Sequence, residues 1–517
     1  MKTRTAIPRG AFALWAAVAV MPLLAMLWKS LTPGGKLGLG AYSTIFSEPR
    51  AWTLLGGTIL LAALTALISG LLGLPLSVLL ARTDLPGRGI LLAAFVLPLL
   101  MPPVILAYGW SELVVYGTVL GVARPILFGP AGFVLVMGMA LMPVVVLFTA
   151  TALSKTERRL EEAGLLCAGR WKVLRGITLP LVLRPYGASL LLVFCLALGE
   201  AGVPIFLRVP VFSVESMTQF AAFYDFGAAA AAALPLLIIT GAAFAGLAAS
   251  GIREVGALKP ASLTGGEPLF RMGSSRSWFL GGLWGLWLVT AGLPMGALLV
   301  QSLEPSAYKE ALALAGGSYL RSLAYAAMGA TLVLVLGFLV AHGLAWRSLP
   351  RWSGWLPLLL FALPGPVLGV GLIALWNRPS TSWVYGTPAI LVLGLLAQYL
   401  VLGMWVSQAS LAQVPRSLEE AAAVSGIRWG VRLRGISLPL VRRGLLAAWL
   451  VAFLFCMRDT GLAMVVYPPG GDPLPARLFT LMANGRPAVI SAICVLVLAL
   501  SLTFLAALAM TLKGRHS

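Results

Sequence analysis

The chain has 517 residues, 60% of them hydrophobic and only 10% charged, with a net charge of +20 and a mean hydropathy of +0.95. Soluble domains carry about 25% charged residues, so a soluble globular protein is excluded. The Lys and Arg residues sit in short loops, where in a membrane protein they report orientation, and nucleic-acid binding is not expected.

Apolar segments long enough for a bilayer, about 20 residues each, recur along the whole chain. A membrane β-barrel would instead show alternating segments of about 10 residues. The expected fold is therefore all-α and polytopic. In the first half the predicted spans are 11–31, 52–81, 89–110, 129–152, 186–206 and 226–250. In the second half they are 279–301, 320–346, 354–376, 388–411, 444–466 and 487–512. The apolar run near the N-terminus is too long for a signal peptide and reads as a retained first span. A Gly-, Ser- and Pro-containing linker, 251–277, divides a first half, 1–250, from a second, 278–517.

Twelve spans put both termini on one side. Most of the basic residues lie in loops on that side, among them Arg82, Arg88, Arg170, Lys172, Arg175, Arg428, Arg432 and Arg434. By the positive-inside rule that side is the cytoplasm.

The halves match in order. Pro22 falls on Pro294 and Ser30 on Ser302; further on, Pro98 falls on Pro364 and Trp110 on Trp376. Rare residues at matched spacing mark an internal duplication. Each half starts on the cytoplasmic side and has six spans, so the repeat is parallel.

A polar stretch interrupts each half between its fourth and fifth spans. "EEAGLLCAGRWKVLRGITLPLVLRP" (161–185) answers "EEAAAVSGIRWGVRLRGISLPLVRRG" (419–444). Glu161–Glu162 match Glu419–Glu420, Arg170–Trp171 match Arg428–Trp429, and Leu179–Pro180 match Leu438–Pro439, the first copy being one residue shorter between Trp and Pro. Ala, Leu and Glu favour helix, so each stretch predicts a short helix, a turn and a second helix that Pro180 or Pro439 breaks before the next span. Two such helices suit two equivalent contacts on a two-fold partner. A loop that only anchors to membrane lipid would need no such pairing.

The second stretch resembles the EAA loop of permease subunits of binding-protein-dependent ABC importers, through Glu420, Ala421, Ala422, Gly426, Ile436, Leu438 and Pro439. The first departs from that pattern, with Gly164 in place of the second Ala and Ala168 in place of Gly, Gly169 lying one residue on. The resemblance covers nearly the whole chain and implies two parallel six-helix repeats of the type I importer permease fold, with EAA loops over 154–185 and 413–444. It assigns coupling to an ATPase to Glu161, Glu162, Ala163, Ala168, Gly169, Glu419, Glu420, Ala421, Ala422 and Gly426, with Glu162 and Glu420 at the contact. It further implies two copies of a separate ATPase, with ATP and Mg on that partner, and a periplasmic or lipid-anchored binding protein. The site is then the bacterial inner membrane, with both termini cytoplasmic.

No GxxxxGK[ST] loop occurs; "GGK" at Gly34–Lys36 lacks the Ser or Thr. The chain is not expected to be an enzyme or to hold a cofactor. Its four cysteines, Cys167, Cys195, Cys456 and Cys494, form no CxxC, and His342 and His516 are isolated, so no metal site is expected.

Two acids stand within predicted spans. Glu200 lies twenty residues beyond Pro180, and Asp459 twenty beyond Pro439. A carboxylate at a helix centre costs about 2.5–3.5 kcal/mol on insertion scales and normally faces a cavity or partner. One reading makes them pathway acids; the other makes them structural, with Arg458 neutralising Asp459. A proton-coupled secondary transporter would use them directly, but would not need two matched cytoplasmic loops. A membrane scaffold would need neither the duplication nor the paired acids. "VVYPPGGDPLPARLFTLMANG" (465–485) resembles the last outer loop of the fused permeases for ferric iron, thiamine and phosphonates. Ferric iron is the first substrate expected, then thiamine or 2-aminoethylphosphonate, then sulfate, molybdate or polyamine.

Overall fold

A computed structural model describes residues 2–32, 36–116, 124–155, 158–221, 225–249 and 269–513. Most of the predicted linker (251–268), Gly34 and Gly35, two residues of the first polar loop (156–157) and the tail with His516 lie outside the described residues.

Among the described residues the chain is a helical bundle without strands, apart from one bridge between Thr83 and Phe270. The first half contains α1 (Lys2–Leu31), α2 (Pro49–Arg82), α3 (Arg88–Val96), α4 (Pro103–Tyr116), α5 (Pro130–Lys155), α6 (Arg158–Cys167), α7 (Leu179–Leu198), α8 (Phe212–Ala221) and α9 (Phe226–Ala249). The second contains α10 (Arg276–Trp287), α11 (Leu293–Gln301), α12 (Pro305–Ala345), α13 (Leu356–Ala362), α14 (Gly365–Trp376), α15 (Ala389–Leu411), α16 (Arg416–Val424), α17 (Leu438–Arg458), α18 (Leu474–Asn484) and α19 (Pro487–Lys513). Ten helices are long and apolar enough to cross a membrane, or twelve when two bent pairs each count as one span. Large apolar side chains such as Leu60, Leu71 and Leu183 are exposed on the outside, as suits a surface solvated by lipid rather than water. The protein is a multi-pass membrane protein.

The two longest helices, α2 and α12, start on Pro49 and Pro305, where proline's missing N–H costs no hydrogen bond. Each pairs lengthwise with one other span, α2 with α5 and α12 with α15. These pairs form the centre of each half.

The third span of each half is bent, by 97° between residues 88–100 and 103–115 and by 101° between 351–362 and 365–376. The breaks fall at Met101–Pro102 and Leu363–Pro364. The equivalence is therefore Pro102 with Pro364, four residues away from the expected Pro98 match. Glycines confirm this register. A Cβ on Gly109 would lie 2.5 Å from the Pro294 carbonyl oxygen, and one on Gly371 would lie 2.8 Å from that of Pro22. Each half's first span thus crosses to the other half, α1 onto α14 and α11 onto α4. Small residues let helix backbones approach this closely.

Pro180 and Pro439 do not end their helices, contrary to expectation. The helix runs unbroken over Arg170–Leu198 in one half and Trp429–Arg458 in the other. A π turn precedes each proline, Leu174–Thr178 and Leu433–Ser437. The wider turn makes room for the pyrrolidine ring, which in a regular helix clashes with the carbonyl four residues back.

Candidate functional site

The two polar loops emerge on one end of the bundle, and each is fastened by a buried carboxylate. In the first loop, Glu161 sits in the first turn of α6 with no exposure. Its Oε2 lies 2.8 Å from Nη2 of Arg82, at the end of α2. Its Oε1 accepts from Arg82 Nε at 3.3 Å and from the Thr178 hydroxyl at 2.7 Å. Arg82 also donates to the Leu153 carbonyl at 2.8 Å. A buried charge persists only when paired and hydrogen-bonded in this way.

The second loop repeats the arrangement with one exchange. Glu419 on α16 accepts a hydrogen bond from the Ser437 hydroxyl, and His342 near the end of α12 brings Nε2 to 3.6 Å from the same oxygen. Arg432 donates to the Glu419 backbone carbonyl at 3.4 Å. Burial alone would raise the Glu419 carboxyl, but the His342 ring, the Ser437 hydroxyl and the Arg432 charge together hold it below the ordinary glutamate value. Arg82, Glu161 and Thr178 thus correspond to His342, Glu419 and Ser437.

Of the residues expected to couple, Glu161 and Glu419 face inward as these fasteners, while Glu162, Glu420, Ala163 and Ala421 are exposed on the outer face of their helices. Ala422 is buried. A Cβ on its counterpart Gly164 would lie 2.6 Å from Ile177 Cδ1, so that side chain would have to shift to admit a methyl.

The missing residue of the first copy lies in the turn. Gly426 has φ of +75°, the left-handed region that favours glycine. Gly169 is extended at φ −67° and ψ 157°, and Ala168 is not among the residues with positive φ. The next helical segment begins at Arg170 in one loop and at Trp429 in the other. Trp171 therefore stands one position later than Trp429, a rotation of about 100° around the helix. Trp429 is buried and crosses the His342 ring edge-on at 5.6 Å. Trp171 is 65% exposed beside Arg175.

The described end of the linker straps the first loop. Leu269 and Phe270 donate their N–H groups to the Arg82 carbonyl at 3.0 and 2.9 Å. Met272 N–H donates to Asp84 Oδ1 at 2.9 Å, which is the main reason the Asp84 carboxyl lies below its ordinary value. Arg170 donates to the Arg271 carbonyl at 2.7 Å. On the other half, Arg9 of α1 donates to the Ser348 carbonyl at 3.0 Å.

A cavity of about 750 Å³ lies between the halves. It runs from Gly87 and Gln413 at the loop-bearing end to Glu200, Arg458 and Asp459. Its wall is mainly apolar, with Phe148, Phe361, Trp405 and Phe455. The two acids stand where spans break, not at helix centres. Glu200 Oε1 accepts from the N–H groups of Gly202 and Val203 at 3.0 and 3.3 Å, at the start of the short helix Gly202–Phe206. Asp459 Oδ1 accepts from Leu462 and Ala463 at 2.9 and 3.1 Å, at the start of Gly461–Val465. Both acids cap helices, which favours a negative group there, and both also line the cavity. Arg458 donates to the Leu99 carbonyl and lies over Phe455, with its charge within electrostatic reach of both Glu200 and Asp459, while Tyr399 donates to Asp459 Oδ2 at 2.6 Å. Among the described residues no group of three His, Cys, Asp or Glu side chains could hold a metal ion.

Arg82, His342, Thr178, Ser437 and Tyr399 were not legible as site residues in the sequence. The hydroxyl repeated in "GITLP" and "GISLP" was the available signal; the others come from distant helices.

No family model matches the chain. It is 24% identical over 442 residues to the Fe(3+)-transport system permease protein FbpB 2 of Haemophilus influenzae, covering 82% of this chain and 83% of that one. It is 25% identical over 382 residues to the putative ferric transport system permease protein FbpB 1 of the same species, covering 68% of this chain but only 58% of the relative. It is 31% identical over 170 residues to the molybdenum transport system permease protein ModB of Escherichia coli, covering 31% of this chain and 73% of ModB. A relative matched along most of both chains, and another above 30% identity along most of its own length, carry the conclusion that this chain belongs to the permease proteins of ABC importers.

Proposed function

We propose that the chain forms the whole translocation path of an ATP-driven importer, and that α6 and α16 dock on two copies of a separate ATPase that carries the ATP and Mg. The observation that carries this reading is the pair of matched loops. Each is fastened to its own half by a buried carboxylate, and each presents an exposed neighbour, Glu162 or Glu420, on its outer face. A loop held this rigidly transmits a push from a partner to the spans behind it. The loops face the cytoplasm and the substrate arrives from a binding protein on the other side. The cavity reaches the loop-bearing end and stops at Glu200, Arg458 and Asp459, which is the form expected when the path is open toward the ATPase.

Ferric iron is the substrate this reading favours, because the relatives matched over the largest shares of this chain are named for ferric transport. Molybdate and 2-aminoethylphosphonate follow, from the names of shorter matches. The absence of a metal-ligand cluster among the described residues suits a path in which the binding protein does the recognising. A proton-coupled carrier is disfavoured, because both candidate acids are held by backbone N–H groups.

Cysteine cross-linking tests the docking. In a chain whose exposed Cys167 is first replaced by Ser, Glu162→Cys and Glu420→Cys should each cross-link to the ATPase in purified complexes, while a cysteine on the lipid-facing Leu183 should not. Equal labelling at all three positions would contradict the reading.

A further inference from the structure

We infer that Arg458 and Gly199 are paired gating residues: together they hold the blind end of the cavity shut against the outer side, and the path opens outward where their two contacts part. The inference takes its orientation, and the force that parts the contacts, from the docking reading above; the contacts themselves do not depend on it. Glu200 and Asp459 are equivalent in the duplication, so the residues just before them, Gly199 and Arg458, are equivalent too. Each crosses to the other half and meets its bent span at the break. A Cβ on Gly199 would lie 2.8 Å from Cα of Pro364, where residues 351–362 turn into 365–376. Gly199 has φ of −89°, which any residue adopts, so the nearness of Pro364, and not backbone conformation, favours glycine there. Arg458, at the end of α17, donates to the carbonyl of Leu99, in the tight turn Leu97–Leu100 that leads into the first half's break.

A helix break leaves carbonyls without their donors one turn on, and in the first half the donors come from across the seam. Ser501 of α19 donates to the next carbonyl, that of Leu100, at 3.4 Å. In the second half the Leu363 carbonyl is served from within, by Gln398 at 3.4 Å. A third contact lies beside these two, because a Cβ on Gly202 would lie 3.2 Å from Oγ1 of Thr460. The other charges at the seam, Glu200 and Asp459, lie within electrostatic reach of Arg458 but are held by the N–H groups of their own short helices, and Asp459 also by Tyr399. The guanidinium of Arg458 rests over the Phe455 ring, 5.1 Å from its centroid, and gives its hydrogen bond across the seam. Breaking that bond in the closed state would strand a cationic donor and a carbonyl away from water, which is costly, so the contact parts only together with the outer mouth.

Labelling by a membrane-impermeant maleimide tests this. Right-side-out vesicles hold the full permease alone, with Cys167, Cys195 and Cys456 replaced by Ala and Thr460→Cys as a reporter at the seam. Labelling from outside should be slow. It should rise by about ten-fold in Arg458→Gln, the scale of one hydrogen bond to a charged group, and should rise likewise in Gly199→Ala, where the added methyl meets backbone. Arg458→Lys, whose ammonium can still donate to the Leu99 carbonyl, should stay slow. Native Cys494, buried in α19 away from the cavity lining, should stay unlabelled throughout. Outside labelling at the parent rate in both Arg458→Gln and Gly199→Ala overturns the inference. So does parallel labelling of Cys494, which would show that the contacts hold the fold rather than a gate. An Arg458→Gln complex whose one change is a higher KM for substrate overturns it as well, by making Arg458 a ligand contact. With the ATPase bound and ATP inside the vesicles, the parent reporter should label from outside too. Variants that open without the ATPase, beside a parent that stays closed with it, would support the seam and contradict the docking reading instead.

Discussion

Arg82 and Glu161 form a 2.8 Å ion pair with neither side chain more than 4% exposed. Breaking such a pair leaves an uncompensated buried charge, at about 3–5 kcal/mol. Glu161→Ala should therefore lower the thermal stability of the detergent-solubilised protein strongly. Glu162→Ala, on the exposed face, should change it by less than about 0.5 kcal/mol. Comparing the two melting curves separates a fastener from a docking residue.

The two turns should respond differently to the same substitution. Gly426→Ala places a Cβ on a residue at φ +75° and should cost about 1 kcal/mol. Gly169→Ala fits its extended backbone, and open space surrounds it, so it should be neutral or slightly stabilising. Limited proteolysis of each loop would read the difference.

Gly109 and Gly371 hold the exchange of first spans between the halves. An added methyl at either meets a proline carbonyl in the backbone of the crossing helix, at 2.5 or 2.8 Å, and backbone cannot step aside as a side chain can. Gly109→Ala and Gly371→Ala should each destabilise by about 1–3 kcal/mol. Gly56→Ala, with nothing within 4 Å, should not, and yield of folded protein measures the contrast.

The Glu419 carboxyl lies below its ordinary value of 4.5 in the folded state. Its contribution is complete above that ordinary value and is lost as pH falls through the depressed one. Acid should therefore loosen α16. Glu419→Gln should remove this acid step while lowering stability at neutral pH. Exchange rates over 416–424 between about pH 3 and 6 check the sign.

The spans and the duplication were legible because lipid demands long apolar runs and because rare residues repeat in order. The register of the bent span was not. Matching Pro98 to Pro364 followed residue type, whereas the structure follows Gly109 against Pro294 and Gly371 against Pro22. The helix breaks expected at Pro180 and Pro439 failed because a π turn absorbs each ring, and no local pattern announces such a turn. In the loops, two adjacent glutamates look interchangeable in sequence. Only Arg82 and His342, brought in from distant helices, show that the first of each pair is the buried one. The acids were legible as a repeated pair, but their capping of the next short helix depends on where the span ends, the least legible feature of an apolar run.

Docking and import are tested together by ATP hydrolysis of the complex in lipid, with its ATPase and binding protein, against ferric iron, molybdate and 2-aminoethylphosphonate. Stimulation by one of these ligands, ferric iron first, is expected, and so is its loss when Glu162 and Glu420 are both replaced by Ala. An ATPase that neither binds nor responds, with uptake driven instead by a proton gradient and abolished by Glu200→Gln or Asp459→Asn, would contradict the docking reading.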